Sequence, residues 1–342
     1  MTGNSKTKCV IAIDAMGGDF APRNEVLGAI DAYNESGDFD LLLVGRKEKI
    51  IDEIKANNLK FDEKYIVHAE QVIDMHDHPT ETMKNKPNSS MAVGAKLVRA
   101  GEAHAFVSAG NTGAMVVNSI FGIGRVKGVS RPTLTAPLPN GKGGFTFIAD
   151  VGAFVDSKPQ HIFEFAVLSK ILIENIYGID NPRVGILNVG EEESKGYKLT
   201  ADASELLRNS ELNFIGNVEG NDIFKGTADL VVCDGFIGNI ILKFAESIIP
   251  FLKDTFRNYA DLSLTNKLRI GMVKGPLKEA LKRANPDNMG GLPLLGVNGI
   301  SIIGHGSSSP LAIKNMVLRA KEMYDKDIVN KIKGTLADYA EK

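Results

Sequence analysis

The feature that most constrains the fold is a repeated alternation between short apolar runs and stretches with helical spacing. Ten runs bounded by Gly, Asp or Asn are typical of strands: CVIAID, FDLLLVG, YIVHA, AHAFVSAG, PTLTAPL, FTFIADVG, PRVGILNVG, NFIGNVEG, ADLVVCDG and GISIIG. Between most of them lie segments such as EVLGAIDAYNES and SMAVGAKLVRAGE, whose apolar residues recur at helical spacing. This alternation favours an α/β fold with a mostly parallel sheet covered by helices on both faces.

Two segments depart from the alternation. The stretch PTLTAPLPNGKGGFTFIAD predicts a β-hairpin around a Gly-rich turn. Residues 240–285 predict two long helices, and their nine Lys/Arg against four acids give a net charge of +5 in a chain of −2. A basic helical hairpin suits an anionic membrane surface or an acidic partner, although a solvated helix pair is the alternative. We expect a single α/β domain over residues 1–342 that includes this hairpin.

Composition excludes some functions. With 43% hydrophobic and 24% charged residues, the chain is typical of a globular protein with a core, and its net charge gives no general attraction to nucleic acid. Cys9 and Cys233 lie in apolar runs, which predicts buried thiols in a reducing compartment. The apolar run near the start of the sequence is too short for the core of a signal peptide, so we expect none, and no stretch reaches 18 uninterrupted apolar residues. We therefore expect a cytoplasmic protein without a membrane-spanning helix, for which peripheral membrane attachment stays open.

Six Gly-rich turns follow predicted strands: DAMGGD (14–19), SAGNTGAM (108–115), DVGA (150–153), NVGEEESKG (188–196), CDGFIGN (233–239) and GHGSSSP (304–310). Ligands of open α/β sheets bind beyond the carboxyl ends of the strands, where helix starts favour anions. Six such turns predict a polar rim for an anionic ligand, although each alone could be a capped helix start. The candidate residues for binding phosphate or substrate are Asp14, Gly17, Gly18, Asp19, Ser108, Asn111, Thr112, Gly113, Asp150, Asp234, Gly235, His305, Ser307 and Ser308.

Other chemistries find less support in the sequence. No G-x-x-x-x-G-K-[ST] motif is present, and GIGRVKG (122–128) follows a helical stretch where a dinucleotide fingerprint would follow a strand. An oxidoreductase that uses this segment stays a rival hypothesis. The run His76-Asp77-His78 has no partner spacing that indicates a metal, so we expect a solvated loop and no metal site.

Several motifs together closely resemble the phosphate acyltransferase family called PlsX. They are IAIDAMGGDFAP, MHDHP followed by NSSM, AFVSAGNTGA, NPRVGILNVGEEESKG, NFIGNVEG, VVCDGFIGN and PLLGVNG with HGSS, spread over about residues 9 to 320. The chain has Phe154 where the family usually has Asn. The resemblance implies a Rossmann-like three-layer α/β/α sandwich similar to phosphotransacetylases, with a β-hairpin and a protruding helical hairpin. It also implies a homodimer that associates peripherally with the membrane.

The same resemblance implies an enzyme that transfers a long-chain fatty acyl group from acyl carrier protein to inorganic phosphate, without a cofactor, for phospholipid synthesis. Lys195 and Asn239 are then the catalytic candidates, because they could stabilise the oxyanion and assist the departing thiolate. The candidates for acyl-chain or membrane contact are Phe236, Leu264, Leu268, Ile270 and Met272. The alternatives are a short-chain phosphotransacetylase-like enzyme that uses coenzyme A, or a non-enzymatic module that binds acyl carrier protein or membranes.

Overall fold

The strands follow the predicted apolar runs. A computed structural model describes residues 8–340 of the chain. In chain order, its strands are β1 (Cys9–Asp14), β2 (Phe39–Gly45), β3 (Ile66–His68), β4 (Ala105–Ser108), β5 (Thr133–Pro139), β6 (Phe145–Ala149), β7 (Val184–Leu187), β8 (Phe214–Val218), β9 (Leu230–Val232), β10 (Leu292–Leu295) and β11 (Ile300–Ile303). All ten predicted strands are confirmed, and the sequence missed only β10.

The helices occupy the segments between the strands. They are α1 (Arg23–Ser36), α2 (Lys47–Ala56), α3 (Pro79–Asn85), α4 (Ser90–Ala100), α5 (Thr112–Asn118), α6 (Pro159–Leu172), α7 (Lys198–Arg208), α8 (Gly220–Lys225), α9 (Gly235–Asp261), α10 (Leu264–Ala280), α11 (Pro310–Asp325) and α12 (Ile328–Ala340). Short π-helical turns extend α5 and α6, and three single 3-10 turns complete the helical structure of the described range. The α/β class predicted from the sequence is thus confirmed.

The chain forms two compact units. The first unit comprises the described residues of Met1–Leu134, Val167–Asn181 and Met289–Lys342. Its strands lie in the order β3-β2-β1-β4-β11-β10, parallel except where β10 meets β11. Helices α1 and α11 pack together and on the sheet, while α4 packs on β1, β2 and β4. Helices therefore cover the central strands, and every residue of β4 is buried.

The second unit comprises Thr135–Ala166 and Pro182–Asn288. Its strands lie in the order β5-β6-β9-β7-β8, and only the β5–β6 pair is antiparallel. That pair is the predicted β-hairpin, and its turn is held by Asn140, whose side-chain oxygen accepts hydrogen bonds from the backbone N–H groups of Lys142 and Gly144. The single domain expected from the sequence stays a prediction.

Helices α9 and α10 confirm the two helices predicted for residues 240–285. The 27 residues of α9 are also long and apolar enough to cross a bilayer by length and composition, and only 17% of the apolar window is buried. The sequence expectation counted uninterrupted apolar runs, which Lys243 and Glu246 break, and so it overlooked this helix. Length and composition alone do not establish a membrane span, because core helices of globular proteins pass the same test.

Candidate functional site

Three of the Gly-rich turns meet in the first unit. They follow β1, β4 and β11, which are neighbours in the sheet, so the turns lie side by side. We call residues 14–19, 108–113 and 304–308 the glycine-turn cluster. The backbone N–H of Asp19 donates to the carbonyl of Gly306 at 2.7 Å, which joins the first turn to the third. The candidate residues of the first unit are thus brought together, as the sequence predicts for strand ends at one edge of a sheet.

Asp14 is the buried anchor of this cluster. Its side chain is 2% exposed and accepts hydrogen bonds from the Ser108 hydroxyl at 2.8 Å and the Met16 N–H at 3.1 Å. Burial raises the pKa of Asp14, and hydrogen bonds from the hydroxyls of Ser90 and Ser108 oppose that rise. The carboxyl group therefore holds the turn from inside the first unit, and its role in binding phosphate or substrate stays a prediction.

The positions of Gly17 and Gly18 leave no room for a side chain. A Cβ atom at Gly17 would lie 2.4 Å from Oδ2 of Asp14, and one at Gly18 would lie 2.4 Å from Oε1 of Glu25. Gly18 also has a φ of +136°, which side chains rarely adopt. Within the described part of the chain, the Gly18 N–H donates no hydrogen bond. This N–H is consequently available to an anion.

Asn111 acts as a clamp between two segments. Its Oδ1 atom accepts the N–H of Ala114 at 3.0 Å and so caps α5. Its amide nitrogen lies 3.0 to 3.4 Å from carbonyl oxygens in residues 74–77. Both polar ends are in use, which the capped-start interpretation predicts. Thr112 is exposed beside it, and a side chain at Gly113 would meet a proline ring at 2.7 Å.

The third turn is held by its own hydroxyl groups. Ser308 Oγ donates to the carbonyl of His305 at 2.6 Å, and Ser307 Oγ lies 2.8 Å from Nδ1 of the exposed His305. Ser309 caps α11 and Pro310 occupies its first turn, which confirms the helix start expected from the sequence. His305 and Ser307 are the members of this turn that face solvent.

The remaining candidate residues lie in the second unit. We call residues 150–154, 188–197 and 234–239 the helix-start cluster. Oδ1 of Asp234 caps α9 by accepting the N–H of Ile237 at 3.1 Å, while Oδ2 accepts the hydroxyl of Tyr197 at 2.9 Å. Asp150 is fully buried, and its carboxylate accepts the N–H of Phe154 at 3.0 Å. Because Phe154 contributes a backbone group here, its departure from the family pattern leaves this contact intact.

The start of α9 packs unusually close to the turn after β6. A Cβ atom at Gly235 would lie 2.2 Å from the carbonyl oxygen of Phe154, and one at Gly238 would lie 1.8 Å from that of Asp150. The side chain of Asn239 lies against Gly152, where an added Cβ would meet it at 3.2 Å. Although its side chain touches this turn, Asn239 is exposed to solvent.

Lys195 lies in the loop before α7. Its backbone N–H donates to Glu192 at 3.0 Å, and its carbonyl accepts from the side chain of Asn188 at 3.0 Å. Within residues 8–340 its side-chain nitrogen has no hydrogen bond or ion pair, so it is free to meet an anion. The hydrogen bond between Tyr197 and Asp234 joins the segment that carries Lys195 to the helix that carries Asn239.

Sequence reasoning missed three participants. Ser90 donates to Asp14, Tyr197 donates to Asp234, and the buried Glu25 lies against Gly18. Tyr197 directly follows the NVGEEESKG motif and stands two residues after Lys195, so its position was a usable signal. The other two carry no local signal, because distant segments bring them to the cluster.

No metal centre is seen among the described residues, in the sense that no group of three or more His, Cys, Asp or Glu side chains could hold an ion. Residues 76–78 form the predicted loop, and Asp77 is paired with Lys86 at 2.5 Å. Both cysteines, Cys9 and Cys233, are buried free thiols, as expected.

The apolar residues predicted for the hairpin are mostly exposed. The side chains of Phe236, Leu264, Leu268 and Met272 are all more than half exposed, while Ile270 is half-buried. Phe244 and Phe251 on α9 add two more exposed aromatic rings, at 68% and 67%. The hairpin thus presents an apolar surface that the rest of the second unit leaves uncovered.

Solved structures of other proteins share the fold of this chain. Solved structures with the same fold include a phosphotransacetylase from Streptococcus pyogenes, with a TM-score of 0.62 and 18% identity over 93% of this chain and 95% of that one. The phosphotransacetylase EutD from Staphylococcus aureus gives a TM-score of 0.55 at 15% identity, over 92% of this chain and 94% of that one. These likenesses establish the phosphotransacetylase-like α/β fold.

Sequence relatives are far closer. The model of a family described as "Fatty acid synthesis protein" matches residues 9–331. A phosphate acyltransferase from Halothermothrix orenii is 41% identical over 325 residues, which cover 94% of this chain and 97% of the relative. Another, from Pelotomaculum thermopropionicum, is 44% identical over 326 residues, which cover 95% of this chain and 94% of the relative. The chain therefore belongs to the phosphate acyltransferase family.

Proposed function

We propose that this protein transfers a long-chain fatty acyl group from acyl carrier protein to inorganic phosphate and releases acyl phosphate for phospholipid synthesis. The observation that carries the proposal is family membership over nearly the whole chain. The glycine-turn cluster supports it, because a free backbone N–H, exposed hydroxyls and a histidine are groups that bind phosphate oxygens.

In the proposed mechanism a phosphate oxygen attacks the thioester carbonyl, the carbon–sulfur bond breaks, and the pantetheine thiolate leaves. Phosphate is largely anionic near neutral pH, with a second pKa of about 6 to 7, so no strong general base is needed. The unpaired ammonium group of Lys195 and the exposed amide of Asn239 can stabilise the developing oxyanion. Lys195 can also neutralise or protonate the departing thiolate.

The decisive assay measures phosphate-dependent release of free carrier protein from acyl-acyl carrier protein. Activity with acetyl-coenzyme A and none with the acyl carrier protein substrate would replace the proposal with the short-chain alternative. Binding of acylated carrier protein without any phosphate-dependent turnover would favour the non-enzymatic module. An oxidoreductase would require binding of NAD(H), which we expect to be absent.

The catalytic assignment is tested by Lys195→Ala and Asn239→Ala, each of which should lower turnover by about 10²-fold or more, the scale of an oxyanion-hole donor. Lys198→Ala and Asn209→Ala are matched controls, because they remove side chains of the same types from exposed positions in the second unit. Turnover close to wild type in a folded Lys195 or Asn239 variant would remove that residue from the mechanism.

We also propose that the α9–α10 hairpin attaches a cytoplasmic homodimer to an anionic membrane surface. The support is the exposed apolar row of the hairpin together with nine basic residues and only four acidic ones over residues 240–285. Acyl carrier protein is acidic and could use the same charges, so both partners need testing.

Flotation with vesicles containing anionic lipid tests the membrane contact. Replacing Leu264 and Leu268 by Ser should reduce flotation while leaving turnover of soluble substrate intact. Reversing the charges of Lys267 and Arg269 should reduce binding to anionic vesicles more than to neutral ones. Unchanged flotation of both variants would refute the membrane role. The proposed homodimer is tested separately, by light scattering of the wild-type protein.

A further inference from the structure

Glu25 is a buried acid that the mechanism above does not use. It stands in the first turn of α1, yet its side chain is only 1% exposed. Its Oε1 atom lies against Gly18, so the carboxyl group supports the glycine turn from within the first unit. Its Oε2 atom is fully buried and has no hydrogen-bond partner among the described residues.

The charges around Glu25 are negative. The charges that act on it are the carboxylates of Asp14 and Asp19. Arg23 on the same helix is exposed to solvent. Basic residues of α2 and α11, which pack against α1, and Lys8 just before β1 form the ion pairs Lys8–Asp40, Lys47–Glu63, Lys314–Asp31, Lys314–Glu35, Arg319–Glu322, Lys321–Asp38 and Lys321–Asp325. The remaining lysines of α2, Lys49 and Lys55, are exposed to solvent. No described basic group thus compensates a charge on Glu25.

A buried carboxyl group without a cationic partner favours its neutral form. Burial raises the pKa of Glu25 to about 8, and the charges of Asp14 and Asp19 act in the same direction, against a hydrogen bond from its own backbone N–H. The group therefore carries its proton at neutral pH and loses it in mildly alkaline solution.

We propose that Glu25 is a positioning residue whose neutral carboxyl group holds the Gly17–Gly18 turn in the form that accepts phosphate. Ionisation would place a third negative charge beside Asp14 and Asp19. It would also require water to reach the buried Oε2 atom of Glu25, which has no hydrogen-bond partner among the described residues. Either effect displaces the turn or repels the anion from the free N–H of Gly18. This inference rests on the proposed function, since it assigns phosphate to the glycine-turn cluster.

The test compares kcat/KM for phosphate between pH 6.5 and 9.5 in the wild type and in Glu25→Gln. If only the neutral form binds phosphate, the wild-type value at pH 9 falls to about one tenth of its plateau, because that pH is one unit above the group's pKa. Glu25→Gln cannot ionise and keeps a flat alkaline limb, with a near-normal value at pH 7. Glu102→Gln, an exposed glutamate of the same unit, should retain the wild-type limb.

A calorimetric measurement on the wild type needs no variant. Phosphate binding at pH 9, where phosphate is already the dianion, should take up about 0.9 proton at this site when measured in buffers of different ionisation enthalpy. The inference is overturned if Glu25→Gln keeps the alkaline limb, if Glu102→Gln also loses it, or if phosphate binds at pH 9 without proton uptake. Absence of phosphate binding at every pH would instead overturn the proposed function.

Discussion

Gly238→Ala is the sharpest perturbation of the contact between α9 and the turn after β6. The added Cβ would lie 1.8 Å from the carbonyl oxygen of Asp150, and real Cβ contacts essentially never fall below 3.0 Å. The partner is backbone, which cannot rotate aside as a side chain does. The start of α9 must therefore move by roughly 1 Å, and overpacking of this kind costs about 1–3 kcal/mol.

Gly271→Ala in α10 provides the matched control, since a Cβ there meets nothing within 4 Å. Alanine is favoured over glycine in a helix interior by about 0.5–1 kcal/mol, so this variant should be slightly more stable than wild type. In Gly238→Ala the cost of overpacking outweighs the helix preference of alanine, and the free energy of unfolding should fall by up to about 2 kcal/mol. Because Asn239 moves with the helix, turnover should also drop by about 10²-fold.

Denaturant unfolding of both variants and the carrier-protein release assay check this prediction under identical conditions. If Gly238→Ala were as stable as Gly271→Ala, the close approach would not constrain the helix. If it were destabilised but turned over within threefold of wild type, the position of Asn239 would not matter to catalysis.

Three further predictions concern single side chains. Asn111→Ala removes a helix cap and the hydrogen bonds from its amide to the carbonyls of Met75 and Asp77 in the loop of residues 74–77, so the free energy of unfolding should fall by about 1–2 kcal/mol. Hydrogen exchange over that loop should rise, and unchanged protection would contradict the clamp. Tyr197→Phe loses a hydrogen bond to a carboxylate and should lower kcat about tenfold with an unchanged KM for phosphate. In a Lys195→Ala background it should have no further effect, and a fully additive loss would show that Tyr197 does not act through that lysine. His104 accepts a backbone N–H from β1, and burial lowers its pKa, so the folded state binds fewer protons than the unfolded state. Stability should therefore be full above the ordinary histidine pKa of about 6.5 and decrease as the pH falls below it. A folded His104→Gln variant should lose that dependence, which urea unfolding from pH 5 to 7.5 measures.

The strands could be predicted from the sequence because burial on both faces makes each a continuous apolar run between turn residues. β10 escaped because LPLL is four residues long, contains a proline and follows two glycines. The helix start in GHGSSSP was visible in local sequence for the same reason that strands were, because its signals, Ser309 and Pro310, are adjacent.

The contacts that shape the candidate site are not local. The amide of Asn111 reaches carbonyls 34 to 37 residues earlier, and Tyr197 reaches Asp234 across 37 residues. Glu25 has the pattern of an ordinary acid in a first helical turn, where exposure is the usual outcome. Its burial comes from tertiary packing, which includes the glycine turn, and no spacing rule encodes that packing.

The position of β11 beside β4 has a consequence for synthesis on the ribosome. Ile300 to Ile303 pair with Ala105 to Ser108, so the partner of an entirely buried strand is made 195 residues later (300 minus 105). At 5–20 residues per second, β4 waits roughly 10–40 s with an apolar, unpaired edge. During this interval we expect the unpaired edge of β4 to promote association between nascent chains. A chaperone that binds short apolar strands should therefore raise the yield of folded protein, and the gain should be largest when translation is slow.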